Sequence, residues 1–97
     1  MELNKVISAL NSQLRRDILK VLVETSSTVG DVLGNLRNKG LDIKYRETVY
    51  RALERLVDSE LVQKFYDKEK GICYKLSTKQ TEIRIDKDSI DISLHQT

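Results

Sequence analysis

The sequence predicts an α+β fold in which a helical core is followed by two β-hairpins. Apolar residues recur at helical spacing in four segments between Leu3 and Val57. From Leu61 onward the spacing changes to the alternation that is typical of strands. The chain has 97 residues, of which 39% are hydrophobic and 33% are charged, and this is enough for one small core.

The first two helices are predicted from apolar stripes. A short stripe near the N-terminus consists of Leu3, Val6, Ile7 and Leu10, and a helix this short must dock on a neighbour to be stable. Asn11 or Ser12 then supplies an N-cap, and the apolar face of a second helix extends from Leu14 to Leu22.

Two further helices follow, separated by a short turn. Thr28 and Asp31 have the spacing of a capping box, and Gly40 is predicted to end the third helix as its C′ residue. The fourth helix is predicted over residues 46–59. One face of it is apolar, formed by Val49, Ala52, Leu53 and Leu56.

Both hairpins are predicted from segments in which apolar and polar residues alternate. The first covers residues 62–76 and has a polar, basic tip. In the second, a loop centred on Lys87 and Asp88 pairs Ile85 with Ile90, Ile83 with Ile92 and Thr81 with Leu94. We therefore predict a main domain over residues 1–79 and an additional C-terminal β-hairpin over residues 80–97, used for docking or dimerisation.

This order of elements predicts a winged helix-turn-helix, in which the first hairpin is the wing. The stretch from Leu10 to Leu22 resembles the opening helix of ArsR-type repressors, and the stretch from Tyr45 to Val62 resembles the recognition helix and following strand of ArsR-, MarR- and PadR-like regulators. The resemblance covers roughly residues 7–77 and implies a DNA-binding transcriptional regulator. The acidic-Gly-Leu-Val turn of those families reads Ser59-Glu60-Leu61-Val62 here, without its glycine.

Candidate DNA-binding residues lie on the fourth helix and the wing. Exposed polar side chains of a helix in the major groove meet base edges, and cations on a wing meet phosphates or the minor groove. The candidates are Tyr45, Arg46, Glu47, Thr48, Arg51 and Arg55 on the helix, and Lys64, Lys68 and Lys70 on the wing. Arg15 and Arg16 are further phosphate candidates. The competing interpretation is an ordinary solvated face whose charges balance.

Two apolar surfaces predict a homodimer, because a domain this small cannot bury both of them alone. One is the stripe of Leu3, Val6, Ile7 and Leu10, and the other is the face of the second hairpin that carries Ile83, Ile85, Ile90 and Ile92.

Composition excludes several other classes of function. A single cysteine, Cys73, and a single histidine, His95, cannot form a disulfide framework or a zinc site of the usual Cys/His type. No catalytic or phosphate-binding motif is present, so we expect neither an enzyme nor a cofactor. The longest apolar run is three residues and the N-terminus lacks a signal-peptide pattern, so we expect a cytoplasmic protein without a membrane segment. The expected partner is double-stranded DNA. The alternative is a winged-helix module that binds another protein and no DNA.

Overall fold

The computed structural model describes residues 2–77, 81–85 and 90–94, the last two ranges by their backbone alone. Within these ranges the helices come first: α1 is Leu3–Leu10, α2 Gln13–Glu24, α3 Val29–Asn38 and α4 Arg46–Asp58. Two antiparallel hairpins follow, β1 (Val62–Asp67) with β2 (Gly71–Leu76) and β3 (Thr81–Ile85) with β4 (Ile90–Leu94). The predicted fold class and the predicted order of elements are confirmed.

The predicted helix ends are formed by two side-chain caps and by one glycine. Ser12 accepts the N–H of Arg15 at 3.3 Å, which makes Ser12 the N-cap of α2. At α3 the Thr28 hydroxyl accepts the Asp31 N–H, and the Asp31 carboxylate accepts the Thr28 N–H. Gly40 follows α3 with φ +92°, a conformation that suits glycine because it has no Cβ.

The core lies between the four helices and the first hairpin. Leu19, Leu36, Leu53 and Leu56 have no exposed surface, and Tyr74 of β2 is 1% exposed. The periodic apolar positions predicted for the second, third and fourth helices are therefore the ones that are buried, which is the main source of stability in such helices.

Helix α1 is docked on this core, and this corrects one predicted dimerisation residue. Val6 is only 1% exposed, because it packs inside the domain together with Ala9. Leu10 is half-buried against the same core, whereas Leu3 and Ile7 are 52% and 57% exposed. The exposed apolar part of α1 is therefore narrower than the predicted stripe of four residues.

Two arginines of α2 hold the end of α1. Arg15 donates to the carbonyls of Ala9 and Ser8 at 2.6 and 3.2 Å, and Arg16 donates to the carbonyl of Leu10 at 2.5 Å. Carbonyls at a helix C-terminus have no partner in their own helix, so these guanidinium groups satisfy them. Burial, assisted by the nearby positive charge of Arg55, lowers the pKa of Arg15. The structure thus gives Arg15 and Arg16 a structural task at the end of α1, and their contact with phosphates stays a prediction.

Arg37 fixes the turn between α3 and α4. Its Nε and Nη2 atoms donate to the carbonyl of Ile43 at 3.0 and 2.8 Å, and Nη2 also reaches the carbonyl of Lys44 at 3.3 Å. These bonds restrain the segment directly before Arg46, and they therefore set the position at which α4 begins.

Helix α4 ends in a backbone conformation that is rare for a residue with a side chain. The Ser59 hydroxyl donates to the carbonyl of Leu56 at 2.7 Å, and Glu60 has φ +67°. Glu60 stands where the families that this chain resembles have glycine. A residue with a side chain therefore adopts the left-handed conformation that glycine adopts more easily.

A third strand segment joins the first hairpin. Ser27 forms an isolated antiparallel bridge with Tyr74: the Ser27 N–H donates to the Tyr74 carbonyl at 3.0 Å, and the Tyr74 N–H donates to the Ser27 carbonyl at 2.8 Å. A single bridging residue leaves no periodicity in the sequence, so the sequence does not predict this contact.

The second hairpin has the predicted register. Ile83 pairs with Ile92, Ile85 with Ile90, and Thr81 with Leu94, and β3 runs close to α2. The side chains of Ile83, Ile85, Ile90 and Ile92 lie outside what the structure describes, as does the whole of His95. The division at residue 79 and the docking role of the hairpin remain predictions. Across the described part of the chain, every helix is too short or too polar to cross a membrane.

Candidate nucleic-acid interface

The N-terminal half of α4 presents a polar, exposed surface. Tyr45, the N-cap residue, is 70% exposed, and Arg46, Glu47 and Thr48 are exposed as well. Arg51 is exposed one turn further along, and its Nε donates to Oε1 of Glu47 at 3.0 Å. An exposed pair of this kind contributes only about 0.3–0.5 kcal/mol, so Arg51 can exchange it for a base or a phosphate at little cost.

Arg55, although predicted with this group, is directed elsewhere. Its Nη2 donates to the hydroxyl of Ser8 at 2.8 Å, which joins the C-terminal half of α4 to α1. The structure therefore places Arg55 at the junction with α1 and apart from the exposed N-terminal half of α4.

Lys64 of the wing is bound to α4. Its ammonium donates to both carboxylate oxygens of Glu54, at 2.9 and 3.1 Å, and the Tyr74 hydroxyl donates to the same carboxylate at 3.0 Å. Burial opposes ionisation of Glu54, but the hydrogen bonds from Lys64 and Tyr74 outweigh it and lower the pKa of Glu54. The hydrogen bond to Glu54 raises the pKa of Lys64 in turn. Lys64 thus fastens the wing to α4, and its charge is already matched.

The wing tip is ordered by its own backbone and presents two exposed lysines. The Asp67 carboxylate accepts the N–H groups of Glu69 and Lys70 at 2.8 and 3.0 Å. Both bonds lower the pKa of Asp67, and the bond from Lys70 has the larger effect. Gly71 closes the tip with φ +85°. Lys68 and Lys70 remain exposed. Of the two acidic residues at the tip, Asp67 and Glu69, Asp67 uses its carboxylate to bind backbone N–H groups of the tip itself.

A groove of about 610 Å³ separates α4 from the wing. It is bordered by the start of α3, the first turns of α4 and the inner face of the wing. Its lining consists of Thr28, Val29, Arg46, Glu47, Tyr50, Lys64, Lys70, Ile72 and Tyr74. The structure therefore brings Arg46, Glu47, Lys64 and Lys70 together around one concave surface.

Three features of this surface escape prediction from the sequence. The start of α3 borders the groove, and only the capping box at Thr28 hints that a helix begins there. Glu54 binds Lys64 of the wing, although its position in the helix shows only that it is polar. The hydroxyl of Tyr74 donates to Glu54, a contact between residues 20 positions apart that leaves no pattern in the sequence.

The arrangement of α3, a short turn, α4 and a hairpin that lies against α4 decides the fold. The chain has a winged helix-turn-helix fold. In this fold α4 corresponds to the recognition helix and the hairpin of β1 and β2 to the wing.

Solved structures with the same winged helix include ferric uptake regulators from three bacteria. The protein from Vibrio cholerae is 21% identical, with a TM-score of 0.62 over 89% of this chain and 68% of that one. The protein from Pseudomonas aeruginosa is 19% identical, with a TM-score of 0.65 over 94% and 73%. The protein from Francisella tularensis is 21% identical, with a TM-score of 0.59 over 84% and 66%. No protein-family model and no curated protein matches the sequence.

These comparisons confirm the winged helix and leave the narrower resemblance to ArsR-, MarR- and PadR-like families a prediction. The Pseudomonas and Francisella structures were determined with manganese and iron, respectively. The described part of this chain has no cluster of three or more histidine, cysteine or acidic residues that could hold a metal ion. Cys73 is buried, and the sequence holds one histidine. Among the residues that the structure describes, the donor set therefore does not fit a metal centre.

Proposed function

We propose that this chain is a DNA-binding transcriptional regulator that acts in the cytoplasm and is not an enzyme. Helix α4 lies in the major groove and the wing lies on the phosphate backbone or in the minor groove. The observation that carries the proposal is the exposed N-terminal half of α4, with Arg46 and Arg51, beside a wing tip with Lys68 and Lys70. A helix fits the width of the major groove, and the cations match the charge of the strand between the two grooves.

Within this proposal the two sets of cations have different tasks. Arg51 lies on α4, where a guanidinium can bind a guanine edge with two hydrogen bonds. Lys68 lies on the wing tip, where an ammonium attracts phosphates regardless of the base sequence. Lys64 contributes indirectly, since its partner Glu54 holds the wing at a fixed place beside α4.

The test is an electrophoretic titration of duplex DNA selected by the protein from a random pool, and of random duplex, at two salt concentrations. We expect Arg51→Ala to weaken binding to the selected site by about 1–3 kcal/mol and to change random binding little. Lys68→Ala should weaken both alike and reduce the salt slope by about one.

Lys39→Ala is the matched control, because it removes the same charge at the far end of α3 from the groove. If both site variants bind both DNAs as Lys39→Ala does, these residues do not contact DNA. If the parent itself binds no DNA at either salt concentration, the alternative of a protein-binding module is favoured instead.

The proposal includes a homodimer. Leu3 and Ile7 leave an apolar patch exposed on α1 after Val6 has been buried. A dimer would cover this patch and would place two copies of α4 on half-sites whose centres lie about 10 base pairs apart or a multiple of that. Sedimentation at tens of micromolar, with and without DNA, tests this: a monomer of 11.2 kDa in both cases would disprove the dimer.

A further inference from the structure

The wing carries an exposed apolar pair that does not pack in the core and that charge attraction to DNA does not explain. Tyr66 of β1 and Ile72 of β2 are directly opposite each other in the antiparallel register. They are 70% and 46% exposed, although residues of this kind are usually covered where they cluster. The next pair toward the tip, Asp67 and Gly71, is polar or without a side chain.

This pair stands on the face of the wing that looks toward α4. Side chains alternate along a strand, so Tyr66 shares a face with Lys64, whose ammonium binds Glu54 of α4. Ile72 itself lines the groove between α4 and the wing, together with Arg46 and Lys70. Through Ile72 the apolar surface of the pair therefore continues into a groove that Arg46 and Lys70 also line.

We propose that Tyr66 and Ile72 pack against the deoxyribose rings of a DNA strand that lies between α4 and the wing, while Arg46 and Lys70 hold its phosphates. This inference rests on the proposed function and adds the kind of contact that the wing makes. The C–H groups of a sugar are the apolar surface that a backbone strand offers between successive phosphates. Arg46 and Lys70 are complementary in charge to the phosphates, and Tyr66 and Ile72 offer an apolar surface to the sugars.

The two kinds of contact respond differently to salt. A lysine that neutralises a phosphate releases counterions, so its contribution falls as the salt concentration rises. Burial of an apolar surface against a sugar releases no counterions. Loss of the apolar pair should therefore weaken binding by the same factor at every salt concentration.

The experiment measures the Kd of the full chain for a random-sequence duplex of about 30 base pairs, three helical turns, at several salt concentrations between about 50 mM and about 200 mM. Tyr66→Thr and Ile72→Thr each replace a strand-forming residue by threonine, which also favours strands. We expect each to weaken binding by about three- to tenfold at every salt concentration, with an unchanged slope, because each removes part of a buried apolar contact. Lys70→Ala should instead reduce the slope by about one.

Two controls separate this contact from general damage. Tyr66→Phe keeps the ring and should bind DNA as the parent does. Val23→Ala removes another exposed apolar side chain, 48% exposed near the end of α2, and should also bind like the parent.

The proposal is overturned if Tyr66→Thr and Ile72→Thr both bind with the parent's Kd. In that case the exposed pair would be assigned to a contact with another protein. It is also overturned if they change the salt slope as Lys70→Ala does. If the parent binds no duplex at all, the proposed function itself has failed, and this result is distinct from the other two.

Discussion

Tyr74 donates its hydroxyl to Oε2 of Glu54 at 3.0 Å, across 20 positions of the sequence. Glu54 belongs to α4 and Tyr74 to the wing, so this bond joins the two elements that border the groove between α4 and the wing. The side chain of Tyr74 is buried, whereas about a third of the Glu54 side chain is exposed, at 33%. The wing is thus anchored by a buried aromatic ring whose polar end reaches a carboxylate at the surface.

Tyr74→Phe should lower the free energy of unfolding by about 0.5–1.5 kcal/mol, the net contribution of one hydrogen bond. The loss should be near the lower end, because water can replace the hydroxyl at the exposed Glu54. Urea unfolding measures it. Tyr66→Phe is the control, since Tyr66 is 70% exposed and should lose nothing. Equal losses in the two variants would mean that the bond does not stabilise the fold.

The same carboxylate makes stability depend on pH in the acid range. The pKa of Glu54 is lower in the folded state than in the unfolded chain, because the bonds from Lys64 and Tyr74 outweigh burial. Its stabilisation is therefore complete above the unfolded pKa of about 4.3, and is lost as the pH falls through the lower folded pKa. The urea midpoint of Glu54→Gln should lie below that of the parent at neutral pH, and the difference should shrink below about pH 4. A difference that is constant over this range would contradict the assignment.

The backbone conformation of Glu60 leads us to expect that a substitution at this position stabilises the fold. An L-residue in the left-handed region costs roughly 1–2 kcal/mol, and glycine avoids this cost but loses more backbone entropy on folding. With φ +67° at Glu60, we expect Glu60→Gly to raise the free energy of unfolding by about 0.5–1 kcal/mol. Glu60→Ala is the control, because it removes the same side chain and keeps the unfavourable conformation. If alanine stabilises as much as glycine does, the effect comes from the side chain and not from the backbone.

The sequence predicts those parts of this fold that depend on local periodicity. Val49, Leu53 and Leu56 repeat at helical spacing and are buried, and Thr28 and Asp31 form the predicted capping box. Local patterns of this kind agree with the global structure, and these elements can therefore be predicted from the sequence alone.

The interface is less predictable, because its pairing is decided by tertiary contacts. A lysine of the wing can face solvent, as Lys68 does at the tip, or bind a carboxylate, as Lys64 does on β1, and the residue type alone does not distinguish the two cases. Likewise Val6 and Ile7 are adjacent apolar residues of one helix, and only the packing of α1 determines that the first is buried and the second exposed. Ser27 joins the wing through backbone atoms alone, which every residue other than proline possesses.

The C-terminal hairpin should stabilise the protein by docking one apolar face on the domain body or on a partner subunit. Its register pairs Ile83 with Ile92 and Ile85 with Ile90, so these four residues belong to one face of the two-stranded ribbon. A lone two-stranded ribbon is marginal in water, and the proximity of β3 to α2 offers it a support within the chain.

Ile92→Asp should therefore lower the melting temperature markedly or dissociate the dimer, because full burial of an isoleucine contributes roughly 1.5–3 kcal/mol. Arg84→Ala is the matched change on the opposite face, where Arg84 pairs with Asp91, and it should change stability by less than about 0.5 kcal/mol. Thermal unfolding and sedimentation of the two variants, together with a chain that stops after Lys79, measure both effects. The docking role is wrong if the shortened chain matches the full chain in melting temperature and in oligomeric state. If Ile92→Asp dissociates a dimer and the melting temperature then depends on protein concentration, the face is covered by the partner subunit.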